Sequence, residues 1–90
     1  MYGIAFTQAA RHDLLLLLAH LRVRMLDTIE RQLRHEPLRA SRKRKPLTGA
    51  LAPRWELRIG EHRLFYRLAE DTVEILRIMR KGRKTTENLK

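Results

Sequence analysis

Apolar residues along this 90-residue chain change their spacing several times, and each change predicts an element. Tyr2, Ile4 and Phe6 alternate with Gly3 and Ala5, the period-two mark of a short strand with one apolar face. Thr7 ends that strand and suits an N-cap, because its hydroxyl can accept an amide of a first helical turn. Ala10, Leu14, Leu17, Leu18 and Leu21 follow at helical spacing and predict an amphipathic helix from about Gln8 to Ala19, with the leucine run Leu14 to Leu18 mostly in the core. A second helix carries Met25 or Leu26, then Ile29 and Leu33, and turns Arg24, Asp27, Arg31 and Arg34 outward. It should stop before Pro37, since a residue preceding proline avoids the helical region. No glycine or proline marks a break near His20, so two helices and one long kinked helix both fit the pattern.

Periodicity vanishes over residues 36–53, where prolines, a glycine and small residues predict a long loop, ordered or mobile. It returns as strict alternation. Trp55, Leu57 and Ile59 share one face of a strand and leave Arg54, Glu56 and Arg58 on the other; past a turn at Gly60-Glu61-His62, Leu64, Tyr66 and Leu68 oppose Arg63, Phe65 and Arg67. Glu70-Asp71 makes a second turn, and Val73, Ile75, Leu76 and Ile78 form a third strand of mixed pattern, as expected near the middle of a sheet. Residues 80–90 read as a loose basic and polar tail. The sum is one α+β domain over residues 1–90 in the order β-α-α-β-β-β, with a helical hairpin or kinked helix on one face of a small antiparallel sheet. The other face is left free.

Charge changes the meaning of that free face. Twenty Lys and Arg stand against ten Asp and Glu, a formal net charge of +10, which favours nucleic acid, a ribosome-like surface or an acidic protein partner. The absence of cysteine removes disulfides and thiolate zinc sites and is compatible with a reducing cytoplasm. His12, His20 and His35 have no spacing that suggests a metal, and no cofactor is implied. The leucine run is far shorter than the about 20 apolar residues of a spanning helix, and the opening Met-Tyr-Gly-Ile-Ala-Phe lacks the basic start of a signal peptide; a soluble, non-exported, cytoplasmic protein without membrane contact is expected.

Arg54, Arg58 and Arg63 are expected on the open face, with Arg83 arriving from just beyond the last strand. Guanidinium groups grip phosphate oxygens in two-point contacts and stay charged at any working pH. They can bind a backbone, or stabilise the charge that builds on phosphorus when RNA is cut through its own 2′-hydroxyl. Proton acceptors and donors are harder to find. Glu56, between Arg54 and Arg58, and His62, at the turn, are the candidates; against them, such a glutamate is commonly an intrasheet partner for arginines and such a histidine a bystander. Lys43, Arg44 and Lys45 in the loop and Lys81 near the tail are either a solvated cluster or contacts to phosphate. Phe65, pointing with the arginines, suits stacking on a base, whereas Trp55 and Tyr66 suit the core.

Phe6-Thr7 before an alanine-containing helix, Leu33 with Pro37, Arg44-Lys45-Pro46-Leu47, the run from Trp55 to Gly60, Arg63-Leu64-Phe65-Tyr66 and Val73-Glu74-Ile75-Leu76 together resemble the RelE/ParE superfamily of type II toxins. The resemblance spans nearly the whole chain. It implies a small toxin held inactive by a cognate antitoxin whose acidic segment covers the basic face. RelE-type members cut messenger RNA on the ribosome, and ParE-type members block DNA gyrase without being nucleases. In the RelE-type pattern the catalytic basic positions match Arg54, Arg63 and Arg83. Two positions depart from it: Glu56 replaces a second basic residue, and Leu89 stands at the place of a tail tyrosine. The resemblance thus implies a ribosome-dependent endoribonuclease or a gyrase-directed toxin, and charge alone also fits a non-toxic nucleic-acid-binding module.

Overall fold

A computed structural model of the chain describes residues 1–49 and 54–81. Five strands and two helices follow in the order β1 (Gly3–Phe6), α1 (Gln8–Leu15), α2 (Ala19–Leu33), β2 (Arg44–Pro46), β3 (Trp55–Ile59), β4 (His62–Ala69) and β5 (Thr72–Arg80). They build one sheet in the strand order β1-β5-β4-β3-β2. The three alternating stretches form an antiparallel meander through two-residue turns, since Ile59 pairs with His62 and Ala69 with Thr72. The first turn residue has positive φ in each, +58° at Gly60 and +59° at Glu70, so only the second sets a side chain in a left-handed conformation.

Two features differ from the expected layout. The first strand joins β5 in parallel, Gly3 opposite Thr72 and Phe6 opposite Ile75, which makes the sheet mixed at one edge. Within the expected loop, Arg44–Pro46 pairs with Trp55–Leu57 and forms a fifth strand at the other edge. Proline is tolerated there because an edge strand need not donate on its outer side. The pairing continues in a bond from the Leu47 amide to the Arg54 carbonyl, 2.8 Å.

One face of the sheet is core. Leu57, Ile59, Leu64, Tyr66, Val73, Ile75 and Ile78 are buried against Ala10, Met25, Ile29 and Leu33 of the helices. Of the two registers open to α2, the one using Met25 is adopted, and Leu26 is left partly exposed. Tyr66 is fully buried; its hydroxyl donates to the Pro37 carbonyl at 2.5 Å, and burial pushes its pKa up. The mixed spacing of β5 comes from a bulge: Tyr66 faces Ile75 but Phe65 faces Arg77, so Leu76 is an extra residue and the inward set changes phase between Ile75 and Ile78.

The helices are two, not one kinked rod. Thr7 caps α1 as expected, accepting the Ala10 amide at 3.0 Å, and its hydroxyl also donates to the Leu76 carbonyl at 2.9 Å. The break at Leu16 to Leu18 is held by Arg22, whose guanidinium donates to the carbonyls of Leu14, Leu15 and Leu17 at 3.0–3.3 Å. A cation on the last carbonyls of a helix satisfies orphan acceptors and opposes the dipole there. This elbow corrects the reading of the leucine run: Leu14 and Leu17 pack against the core, but Leu15, Leu16 and Leu18 are 63%, 73% and 66% exposed.

Candidate functional site

The helix-free face follows from the alternation of β3 and β4. With Leu57 and Leu64 turned inward, Arg58 and Arg63 lie opposite each other on the outer face, and Glu56 lies opposite Phe65. Directly facing like charges repel by some tenths of a kcal/mol, a cost that a polyanion would remove. Glu56 is the counterion. It is the buried charged residue of the sheet, its side chain only 6% exposed, with its carboxylate 3.8 Å from the Arg63 Nε. At that separation the pair is ionic without a hydrogen bond, and Arg63 Nε is buried with no hydrogen-bond partner among the described residues. Arg63 is therefore held by charge while its remaining donors, on a side chain 41% exposed, reach the surface.

Lys45 faces Glu56 across the β2–β3 pair, and Lys43 accepts the Arg58 amide through its backbone carbonyl at 2.8 Å. Both lysine side chains are exposed, as are Arg54 and Arg58. Around Phe65, two residues along β4 from Arg63, lies a hollow of about 170 Å³ lined by Leu47, Arg54, Phe65, Leu76 and Arg77. Its residues span the sheet from the β2 edge to β5, because Leu47 follows β2 and the bulge sets Leu76 and Arg77 against Phe65.

Several expected site residues are placed elsewhere. His62 follows the inward parity of Leu64 and lines a different hollow of about 370 Å³ with Leu21, Met25 and Arg80. It therefore stands on the opposite side of the sheet from Arg63. Arg44 faces Leu57 and spends its guanidinium on α2, donating to the carbonyls of Gln32 at 2.6 Å and Glu36 at 3.1 Å. That makes it a helix cap rather than a member of the open face. Lys81 is exposed at the end of β5, its amide bound to the Glu61 carbonyl. Arg83 and Leu89 lie outside the described residues.

Arg77 and Asp13 are additions that sequence reading missed. Past the end of β1, Asp13 of α1 accepts the Ile78 amide at 2.9 Å and the Arg77 guanidinium at 2.7 and 3.1 Å. One carboxylate thus caps the open edge of β5 and fixes a rim residue of the hollow. The Arg77 hydrogen bond holds the Asp13 pKa below the usual carboxylate value, against the opposing effect of burial. Alternation could not reveal Arg77, because the bulge reverses the phase next to it. Among the described residues no cluster of three or more His, Asp or Glu side chains is placed to hold a metal ion, and no helix is long and apolar enough to cross a membrane.

Comparison with known proteins gives this geometry a family. The family model described as the ParE toxin of the type II toxin–antitoxin system parDE matches residues 4–85. The chain belongs to the RelE/ParE family of type II toxins. Among solved structures, a chain of the toxin–antitoxin complex RelBE2 from Mycobacterium tuberculosis is 36% identical, with a TM-score of 0.77 over 88% of this toxin and 96% of that chain. The archaeal RelE–RelB complex from Pyrococcus horikoshii matches at 20% identity and TM-score 0.73, covering 92% and 98%, and the isolated RelE toxin of E. coli at 17% and 0.74, covering 94% and 89%. Those two share the fold of this toxin. No curated protein sequence matches it.

Proposed function

We propose that this RelE/ParE toxin arrests growth in the cytoplasm as a RelE-type enzyme, cutting messenger RNA on the ribosome. The observation that carries the reading is Arg63: a guanidinium beside buried Glu56, its side chain 41% exposed, centred on a helix-free basic face. When a 2′-hydroxyl attacks the neighbouring phosphate, negative charge accumulates on the phosphoryl oxygens, and a donor already aimed there lowers the barrier. Arg54, Arg58, Lys43 and Lys45 would hold the flanking phosphates, and Arg83 would approach from the tail. Glu56 acts in this scheme by holding Arg63 in place. The neutralising partner is a cognate antitoxin with an acidic segment over the same face, a reading supported by relatives solved as toxin–antitoxin complexes.

The test is induction of the wild type and of Arg63→Ala in growing cells, with transcript ends mapped on translating ribosomes. Cleavage within coding regions that Arg63→Ala abolishes supports the reading; undiminished cleavage and arrest in the variant would overturn it.

A second reading, a non-nucleolytic toxin acting on DNA gyrase, is favoured by one observation. Neither expected proton-transfer group is free on the arginine face, since His62 lies on the helix side and Glu56 is engaged with Arg63. The matching family model is also that of ParE. Cleaved DNA–gyrase complexes with intact transcripts after induction would select it.

A further inference from the structure

The hollow around Phe65 has a composition that phosphate binding does not explain. A surface built only to hold a polyanion needs exposed cations, yet here Phe65, Leu76 and Leu47 present apolar surface inside a ring completed by Arg54 and Arg77. Half-buried Phe65 and Leu76 sit on the open face although the core is on the other side. The bulge is what brings them together: without the extra residue Leu76, β5 would place a single side chain opposite Phe65. Arg77 is not a loose surface cation either. Asp13 holds it through two hydrogen bonds of 2.7 and 3.1 Å, so its planar guanidinium is presented in a fixed orientation at the rim.

We propose that the hollow of about 170 Å³ lined by Leu47, Arg54, Phe65, Leu76 and Arg77 is a nucleobase pocket that takes one unpaired base of the RNA lying across Arg63. Its size suits one flat ring system and excludes a helix or an extended peptide strand. Aromatic and guanidinium planes both stack on bases, and the stack is indifferent to base identity because every base has a π-face. The two rim arginines match the phosphates on either side of the inserted base, which is the charge complementarity that selects a nucleotide over a neutral apolar group. Asp13 is a positioning residue for this pocket: it touches Arg77, and the ligand touches Arg77. The inference rests on the RNA reading of the same face, but binding can be measured without a ribosome and without cleavage.

The experiment compares two short single-stranded RNA oligomers bound to the purified full-length toxin, one intact and one with a single central abasic site, by fluorescence anisotropy at fixed salt. The intact oligomer is expected to bind about tenfold more tightly, the effect of roughly one base stack. Phe65→Leu keeps the apolar volume and removes the aromatic face, and should bring the ratio towards one with little change in the salt dependence set by phosphate contacts. Asp13→Asn should shrink the same ratio, and Arg77→Ala should abolish most of it. Equal binding of intact and abasic oligomers by the wild type overturns the pocket, with no variant needed, and leaves the hollow to an apolar side chain of an antitoxin. Base discrimination in a toxin that cuts no transcript would instead sustain the pocket and sink the nuclease reading.

Discussion

The two faces of one sheet treat polar groups in opposite ways. On the helix side three polar groups have partners inside the protein: the Tyr66 hydroxyl on Pro37, Arg44 on the end of α2, Arg22 on the end of α1. On the open side Arg58 faces Arg63, Arg63 Nε lacks a hydrogen-bond partner among the described residues, and Phe65 and Leu76 are only half-covered. Those three groups on the helix side are satisfied without a ligand. The open side carries a repulsion between facing guanidinium groups that a polyanion would relieve.

The contrast can be broken at its strongest point by comparing Tyr66→Ala with Arg63→Ala. The first should cost about 3–5 kcal/mol of stability, on the order of much of what a small domain has, and urea unfolding should show it. Arg63→Ala should lower transcript cleavage by about a hundredfold or more, at a stability cost of up to about 3 kcal/mol because buried Glu56 loses its counterion. If cleavage fell only as far as folding fell, the division of labour between the faces would be false.

A sharper comparison uses two arginines on neighbouring strands. Arg44→Ala should cost about 1 kcal/mol, since it uncaps the last carbonyls of α2, and should change RNA affinity little. Arg58→Ala should do the reverse, reducing affinity and the salt slope by roughly one phosphate contact without loss of stability, because it removes repulsion with Arg63. Matched urea titrations and RNA-binding curves check both.

Asp13 joins the two regions, and its pH dependence has a definite sign. Its folded pKa lies below the unfolded value of about 3.9, so its contribution is complete above that value and is lost as pH falls through the folded pKa. Asp13→Asn retains an oxygen for the Ile78 amide but no charge for Arg77. Its stability deficit at pH 7 should therefore narrow as pH drops from about 5 towards 3. A deficit constant over that range would mean that the charge on Asp13 contributes nothing. The smallest effect belongs to a turn: Glu70→Gly relieves a left-handed φ of +59° and should stabilise by up to about 1 kcal/mol, with no change in RNA binding. Thermal unfolding resolves a shift of that size.

Much of the helix side was legible because burial imposes a period. Leu57, Leu64 and Tyr66 were readable from alternation, Met25, Ile29 and Leu33 from helical spacing, and Thr7 from its hydroxyl before an apolar repeat. His62 was equally readable by counting back two residues from Leu64, which puts it on the inward face. Features that hid are those that depend on distant partners. Arg22 breaks the helix by reaching back to carbonyls, β2 has only three residues and acquires its conformation from β3, and Leu76 is an extra residue only relative to Phe65. The open face was legible in its arginines and Phe65 but not as a pocket, since Leu47 and Arg77 join it through those two tertiary events.

The parallel partnership of β1 with β5 also sets an order of assembly. The strand β1 finds its neighbour only in residues 72–75, so its amides stay unpaired until β5 has been made. During that interval the central hairpin can form, but β1 and Asp13 have no strand to join until the one that carries Leu76 and Arg77 has been made. Synthesis itself therefore delays completion of the sheet, and the strand that completes it is the one that carries Leu76 and Arg77.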